Sequence, residues 1–209
     1  MTRAGTTKDE PTKGALTRGT ILAEALSLAS EIGLEGVSIG ALAERVGMSK
    51  SGLFAHFRSK EALQIAILET AVAHFVERVV SPALRQPRGE PRVRALLDRW
   101  LAWSGADFMP SGCIFVSSIA ELDDRPGVVR DRLVSSQRDW LETLATAVRI
   151  AVAEGHFRKD VVPEQLAHEL LTTAYGHHLI SRLLRDPRAE KRTRAAMERT
   201  LAAARAERD

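Results

Sequence analysis

Cysteine occurs once in 209 residues, tyrosine once, and aromatic side chains make up only 5% of the chain. A single thiol excludes an intrachain disulfide and a cysteine-built zinc site, and it fits a reducing compartment. No apolar run approaches the roughly 20 residues that span a bilayer. The N-terminus is polar, with no signal-peptide core, so a cytoplasmic chain with no membrane partner is expected. A glycine-rich phosphate loop and a nucleophile elbow are both missing. His168-Glu169 is followed by Thr172 where a zinc-protease helix needs its second histidine. The adjacent His177 and His178 point in different directions on a helix and make a poor metal pair. No catalytic residue, metal or cofactor is therefore expected.

An excess of one charge is lacking too. The net charge is +3, and residues 1–60 carry eight Lys/Arg against six acids. Any polyanion must be held by where the cations point, not by a high average. Strand-like alternation and internal repeats are absent, and every long segment has helical periodicity, so an all-α fold is expected.

What is present is a compact motif at Ile39–Arg58, IGALAERVGMSKSGLFAHFR. A short amphipathic helix, a glycine turn and a second short helix follow one another, the spacing of a helix-turn-helix. Ala43 falls where the two helices would cross, and its small side chain permits close approach. Gly47 falls where the chain must leave the first helix at positive φ. Leu42, Val46, Met48, Leu53 and Phe57 supply the apolar side, which leaves Ser49, Lys50 and Ser51 facing outward. Small hydroxyls and a lysine at a helix start suit phosphates and base edges in a DNA major groove. Two ordinary helices in a helical core would give the same spacing.

The flanks add to the motif. Leu16–Gly36 forms a preceding helix with Ile21, Leu22, Ala25, Leu26, Ala29 and Ile32 on one stripe, and Ser59-Lys60-Glu61 opens another helix with a serine cap. With these flanks, residues 16 to about 70 resemble the N-terminal domain of the TetR (tetracycline-repressor) family of bacterial transcription regulators. The matching words are TRGTIL, ALSLASEIGLEGVSIGALAERVGMSK and LFAHFRSKEAL. Phe54-Ala55-His56-Phe57 stands where the family has aromatic-x-His-Phe, with Phe54 replacing the commoner tyrosine. Without the phenolic OH, any contact by Phe54 must be apolar or stacking.

The resemblance implies an N-terminal three-helix helix-turn-helix domain (16–59) after a flexible tail (1–15), then a larger helical effector-binding and dimerisation domain (60–209). Arg3, Lys8 and Lys13 in the tail either brush the duplex or are merely solvated. The resemblance assigns DNA contact to Arg18, Ser38, Ser49, Lys50 and Ser51, and to Gly52, Phe54, His56 and Lys60. It implies a homodimer on a pseudo-palindromic operator, released when a small-molecule effector binds. The later stretch SGCIFVSSIAELDDRPGVVRDRL is similar to a pattern in one subgroup of the family's ligand domains.

Downstream, helices are expected over Lys60 to about Val80 (ending before Pro82), Arg92–Trp103, Cys113–Leu122, Val128–Gly155 and Pro163–Leu184. A last helix begins at Asp186-Pro187. The expected pocket comes from the aromatic-rich centre: Trp100, Trp103, Phe108, Cys113, Phe115 and Ile119, with Trp140, Tyr175 and His178 from later helices. The same residues at helical spacing are equally what a plain core needs. Cys113 at a helix start is either an activated thiol that senses electrophiles or a buried apolar cysteine. Glu121, Asp123 and Asp124 suit a solvated turn with caps better than an acid/base site.

For the dimer, the resemblance points to the last two helices. The expected interface is Leu166, Leu170, Ala174 and Leu184 on one, and Thr193, Ala196, Met197, Thr200 and Leu201 on the other. Packing of those faces within the subunit is the alternative. The competing reading of the whole chain is an all-helical ligand-binding protein or enzyme whose helix-turn-helix is incidental.

Overall fold

The computed structural model describes residues 13–206, with α1 at Lys13–Ile32, α2 at Ile39–Val46, α3 at Lys50–His56 and α4 at Lys60–Phe75. A π turn at Val76–Val80 leads into α5 (Ser81–Leu84), followed by α6 (Glu90–Ser104) and α7 (Ile114–Leu122). The chain ends with α8 (Val128–Ala153), α9 (Pro163–Leu184) and α10 (Ala189–Ala204). Among the described residues the β-type pairing is an isolated antiparallel bridge between Phe157 and Arg205. The fold is all-α, as expected. Residues 1–12 of the expected tail, with Arg3 and Lys8, lie outside the described residues, and residues 13–15 open α1.

The N-terminal helices form where the local signals place them. Ser38, Ser49 and Ser59 each hold an extended backbone and accept a hydrogen bond from the amide three residues on, at 3.0–3.1 Å. Each such cap is worth about 1 kcal/mol. Gly47 ends α2 at φ 67°, and its N–H donates back to the α2 carbonyls. Ala43 is buried between the helices.

α4 is buried around much of its circumference because it packs on α1 on one side and on α8 on the other. Its expected stop before Pro82 does not occur. The Ser81 N–H instead reaches the Val76 carbonyl through the π turn, and the chain stays helical through Pro82 as far as Leu84. Widening the turn just before the ring accommodates a residue that lacks an N–H. The last helix also starts later than expected, at Ala189, although Asp186 Oδ1 does accept the Arg188 N–H.

α8, α9 and α10 pack side by side, and α6 closes against α8 and α9. This packing covers much of the expected interface within the subunit. Leu166, Leu170, Ala174, Thr193, Met197 and Leu201 are all buried in the subunit's own core. α9 packs on α8 and α10, so these six side chains are largely covered within the subunit. Ala196 and Thr200 are half-buried, while Leu184 is exposed. Beside Leu184, the exposed apolar residues on α9 are Leu179, Ile180 and Leu183.

Candidate nucleic-acid interface and ligand cavity

On α3, Leu53 is buried against the rest of the head, and Lys50, Ser51, Phe54 and Ala55 are exposed. The exposed four fall at i, i+1, i+4 and i+5, so they share one outward face. Ser49 Oγ serves as the cap acceptor and lies 3.2 Å from Ser51 Oγ. A Cβ on Gly52 would sit 3.1 Å from that Ser49 hydroxyl, so the bare backbone here leaves the cap undisturbed. His56 is half-buried beside Phe57, and Ser38 is exposed at the start of α2.

Arg18 and Lys60 have work inside the protein. The Arg18 guanidinium donates to the His56 carbonyl at 2.7 Å and lies 4.5 Å over the Phe57 ring, clipping α1 to the end of α3. Lys60 Nζ donates to the Glu35 carbonyl oxygen at 2.6 Å and lies 3.5 Å from its carboxylate. Both ends are turned toward the protein, so only their remaining donors are left for phosphate.

Lys60 belongs to a polar junction around the α1–α2 turn. Gln64 Nε2 donates to the Leu34 carbonyl and to Glu35 Oε1, and Arg125 reaches Glu35 Oε2 at 3.2 Å. The Gln64 amide, then Lys60 and Arg125, hold the Glu35 carboxyl below the usual glutamate range against the opposing effect of burial. A lowered folded-state value means this contribution is present at neutral pH and is lost as pH falls through that value.

A further member comes from α7. Glu121 Oε2 accepts the Glu35 N–H at 2.7 Å, and Oε1 accepts the Leu34 N–H at 3.3 Å. Glu121 is therefore no solvated turn residue: its carboxylate grips the head. Gly33, at φ 81°, makes room for it, since a Cβ there would lie 2.5 Å from Oε1.

Two mainly apolar cavities flank α8. The first, about 100 Å³, is walled by Val72, Phe75, Val76 and Val80 from α4 and its π turn, and by Trp100, Cys113, Phe115 and Tyr175. Ser136, Gln137, Asp139, Trp140 and Thr143 of α8 form its remaining wall. The second, about 370 Å³ and more open, is walled by Ile119, Leu122, Leu133, Val134, Leu141 and Leu171, with Asp123, Arg130 and Arg138. Gln137 and Tyr175 border both, and the Tyr175 hydroxyl donates to Gln137 Oε1 between them.

Trp100, Cys113, Phe115, Trp140 and Tyr175 thus line the first cavity, and Ile119 the second. Trp103, Phe108 and His178 line neither. Trp103 stands one layer back, stacked on Phe115 and edge-on to Phe75, with its indole N–H on Cys113 Sγ at 3.3 Å. Phe108 packs outward against His74 and under Arg78. His178 fills the space behind Gly112, where its Cε1 would meet a Cβ at 2.6 Å. Burial, with Arg182 and His177 nearby, pushes the His178 imidazole down to about 4. The α4 wall and the polar α8 residues Ser136, Gln137, Asp139 and Thr143 were not expected from the sequence.

Cys113 caps α7, yet burial pushes its thiol above the ordinary value and outweighs the stabilising hydrogen bonds. A helix start activates a thiol only where water or a cation shares the charge. A disulfide reagent is expected to react far more slowly with the native protein than with the denatured chain. Cys113→Ser is expected to leave any oxidant effect on DNA binding unchanged in a gel-shift assay. Loss of such an effect in the variant would restore the activated-thiol reading.

Known proteins share this architecture. Residues 21–67 match the family model for bacterial regulatory proteins of the tetR family, and residues 89–197 match the tetracyclin repressor-like C-terminal domain. The chain is 41% identical over 54 residues to the class A tetracycline repressor protein from transposon 1721 of Escherichia coli. That match covers 26% of this chain and 25% of the repressor, so it spans about a quarter of that relative's length. A TetR transcriptional regulator from Chloroflexus aurantiacus superposes with a TM-score of 0.80 at 26% identity, over 91% of this chain and 94% of that one. The fold is also that of AibR, solved in complex with isovaleryl coenzyme A and operator DNA. There the TM-score is 0.69 at 24% identity, over 87% of this chain and 96% of that one.

Proposed function

Because this chain belongs to the TetR family of bacterial regulatory proteins, and is therefore a transcriptional regulator, we propose that it is a ligand-released repressor. Two copies present their α3 faces to successive major grooves of a pseudo-palindromic operator, about 34–36 Å apart. The exposed end of α9, with Leu179, Ile180, Leu183 and Leu184, supplies the contact between copies, joined by Ala196 and Thr200 of α10. Residues up to Ser59 read DNA, and those from Lys60 onward bind the effector and the second copy. Ser38, Ser49, Lys50, Ser51, Gly52, Phe54 and His56 form the DNA-facing set, and Arg18 and Lys60 brace it.

The observation that carries the ligand-released reading is that two helices each touch both a cavity and the head. α4 and its π turn wall the first cavity with Val72, Phe75 and Val76, and α4 also packs on α1. α7 has Phe115 on the first cavity and Ile119 and Leu122 on the second, while its Glu121 holds the α1–α2 turn. A molecule that enlarges the cavities must move one of these rods, and the head follows. It shifts the equilibrium only by its difference in affinity for the two states.

The effector itself is apolar with few polar groups, to match aromatic walls and a short polar strip on α8. Parting the Tyr175–Gln137 pair joins the two cavities into one site within the usual range for small ligands, about 300–1,000 Å³. AibR, which carries an acyl-coenzyme A together with operator DNA, is a precedent for this fold holding both partners.

A gel-shift titration with the DNA upstream of the chain's own gene tests the reading. The expected result is a sequence-dependent complex whose affinity falls steeply between about 50 and 200 mM salt. No complex at low salt would favour the competing view, a helical binding protein with an incidental helix-turn-helix.

A further inference from the structure

Side chains that name purines by paired hydrogen bonds are Arg or Lys for guanine and Asn or Gln for adenine. Of these only Lys50 occurs in α3, whose sequence is KSGLFAH. Its outward face offers one ammonium, Lys50, and one hydroxyl, Ser51, which shares Ser49 as a neighbour. The rest of that face is apolar. Phe54 is 53% exposed, beside the exposed methyl of Ala55. Leu53 and Phe57 already fill the inner side of the helix, so Phe54 adds nothing to the core. It makes no ring contact with another aromatic among the described residues, while Arg18 stacks on Phe57 instead.

We infer that Phe54, flanked by Ala55, is a specificity-determining residue that reads the 5-methyl group of a thymine in each half-site. This inference rests on the DNA-binding reading above. The thymine methyl is the one apolar mark in the major groove, and phenyl and alanyl groups are the side chains that pack on it. Position matters as well as chemistry: Phe54 lies one helical turn after Lys50 on the same face, so the ammonium and the ring meet neighbouring base pairs. The operator then has a thymine next to the base pair that Lys50 contacts, repeated by symmetry in the other half.

Deoxyuridine tests this atom by atom, because it keeps every hydrogen-bonding group of thymidine and lacks only the methyl. Each thymine of the operator fragment is replaced in turn, and affinity is measured by gel shift with the full-length protein and with Phe54→Ala. The wild type is expected to lose about fourfold at one thymine per half-site, the usual worth of one buried methyl, and about 15-fold when both are replaced. Phe54→Ala is expected to bind the natural operator correspondingly less tightly and to be indifferent to those replacements. Its melting curve should match the wild type, since the side chain supports nothing inside the protein.

Equal wild-type affinity for all deoxyuridine operators overturns the inference, and so does full methyl sensitivity retained by Phe54→Ala. Those outcomes leave DNA binding itself standing. Absence of a complex with any operator defeats the regulator reading and this inference together.

Discussion

Glu121→Ala is expected to loosen the head while leaving α7 and both cavities in place. The carboxylate serves two backbone amides, those of Leu34 and Glu35, and the Leu34 side of the turn is fully buried. Removing an acceptor from a buried N–H costs about 1–3 kcal/mol. For a chain of this size that lowers the melting temperature by roughly 2–4 °C per kcal/mol. Hydrogen exchange gives the local readout: the amides of residues 34 and 35 should exchange much faster, with little change in α8 and α9. Gly33→Ala should harm the same joint from the other side. It places a Cβ 2.5 Å from Glu121 Oε1 and forces a side chain into φ 81°, which costs about 1–2 kcal/mol by itself. In the double variant the collision has no second partner, so the two losses should add to less than their sum. Strict additivity, or unchanged exchange at 34 and 35 in Glu121→Ala, would mean that the grip does not set the position of the head.

The parts of the molecule that were legible in the sequence are those fixed by short-range signals. Ser38, Ser49 and Ser59 announce helix starts because a hydroxyl reaches only to the amide three residues on. Gly47 announces a stop because its backbone angle is local. The outward set on α3 follows from the same periodicity, and the structure leaves Lys50, Ser51 and Phe54 on the surface. The cavity was legible in part, from its large aromatics and from their neighbours on α7 such as Phe115 and Ile119. Trp100, Trp140 and Tyr175 stand out by size, whereas Val72 and Val76 look like any apolar position on α4 and its π turn. Which side of a helix faces a void is decided by how four helices meet, and no local pattern encodes that.

Glu121 fails for a related reason. An acid in the run Glu121-Leu122-Asp123-Asp124 has the composition of a solvated turn, and its partners lie 86 and 87 positions away. Periodicity likewise tells that Leu170 and Met197 are buried, but not by what. They meet each other's helices within the subunit, and the apolar residues left exposed on α9 are the ones near its end.

Leu183→Asp, alone or with Leu179→Asp, is expected to turn the protein into a folded monomer that no longer holds its operator. Leu183 is 83% exposed and Leu184 66%, with Leu179 and Ile180 on the same side of the last turns of α9. Covering one such side chain is worth about 1.5–3 kcal/mol. A two-fold interface counts every substitution twice, so a single aspartate raises the dimer dissociation constant by about 10² to 10⁴. Operator affinity must fall with it, because a lone head makes half of the contacts and loses the gain from joining two sites. Sedimentation velocity checks the assembly, gel shift checks the DNA, and circular dichroism checks the fold. The contrast that gives the test its force is Leu170→Asp. Leu170 is fully buried in its own subunit, so that change should cost folding itself, whereas Leu183→Asp should leave helicity and the melting cooperativity intact. A dimer with undiminished operator affinity in the Leu183 variant would place the contact between copies somewhere other than this end of α9.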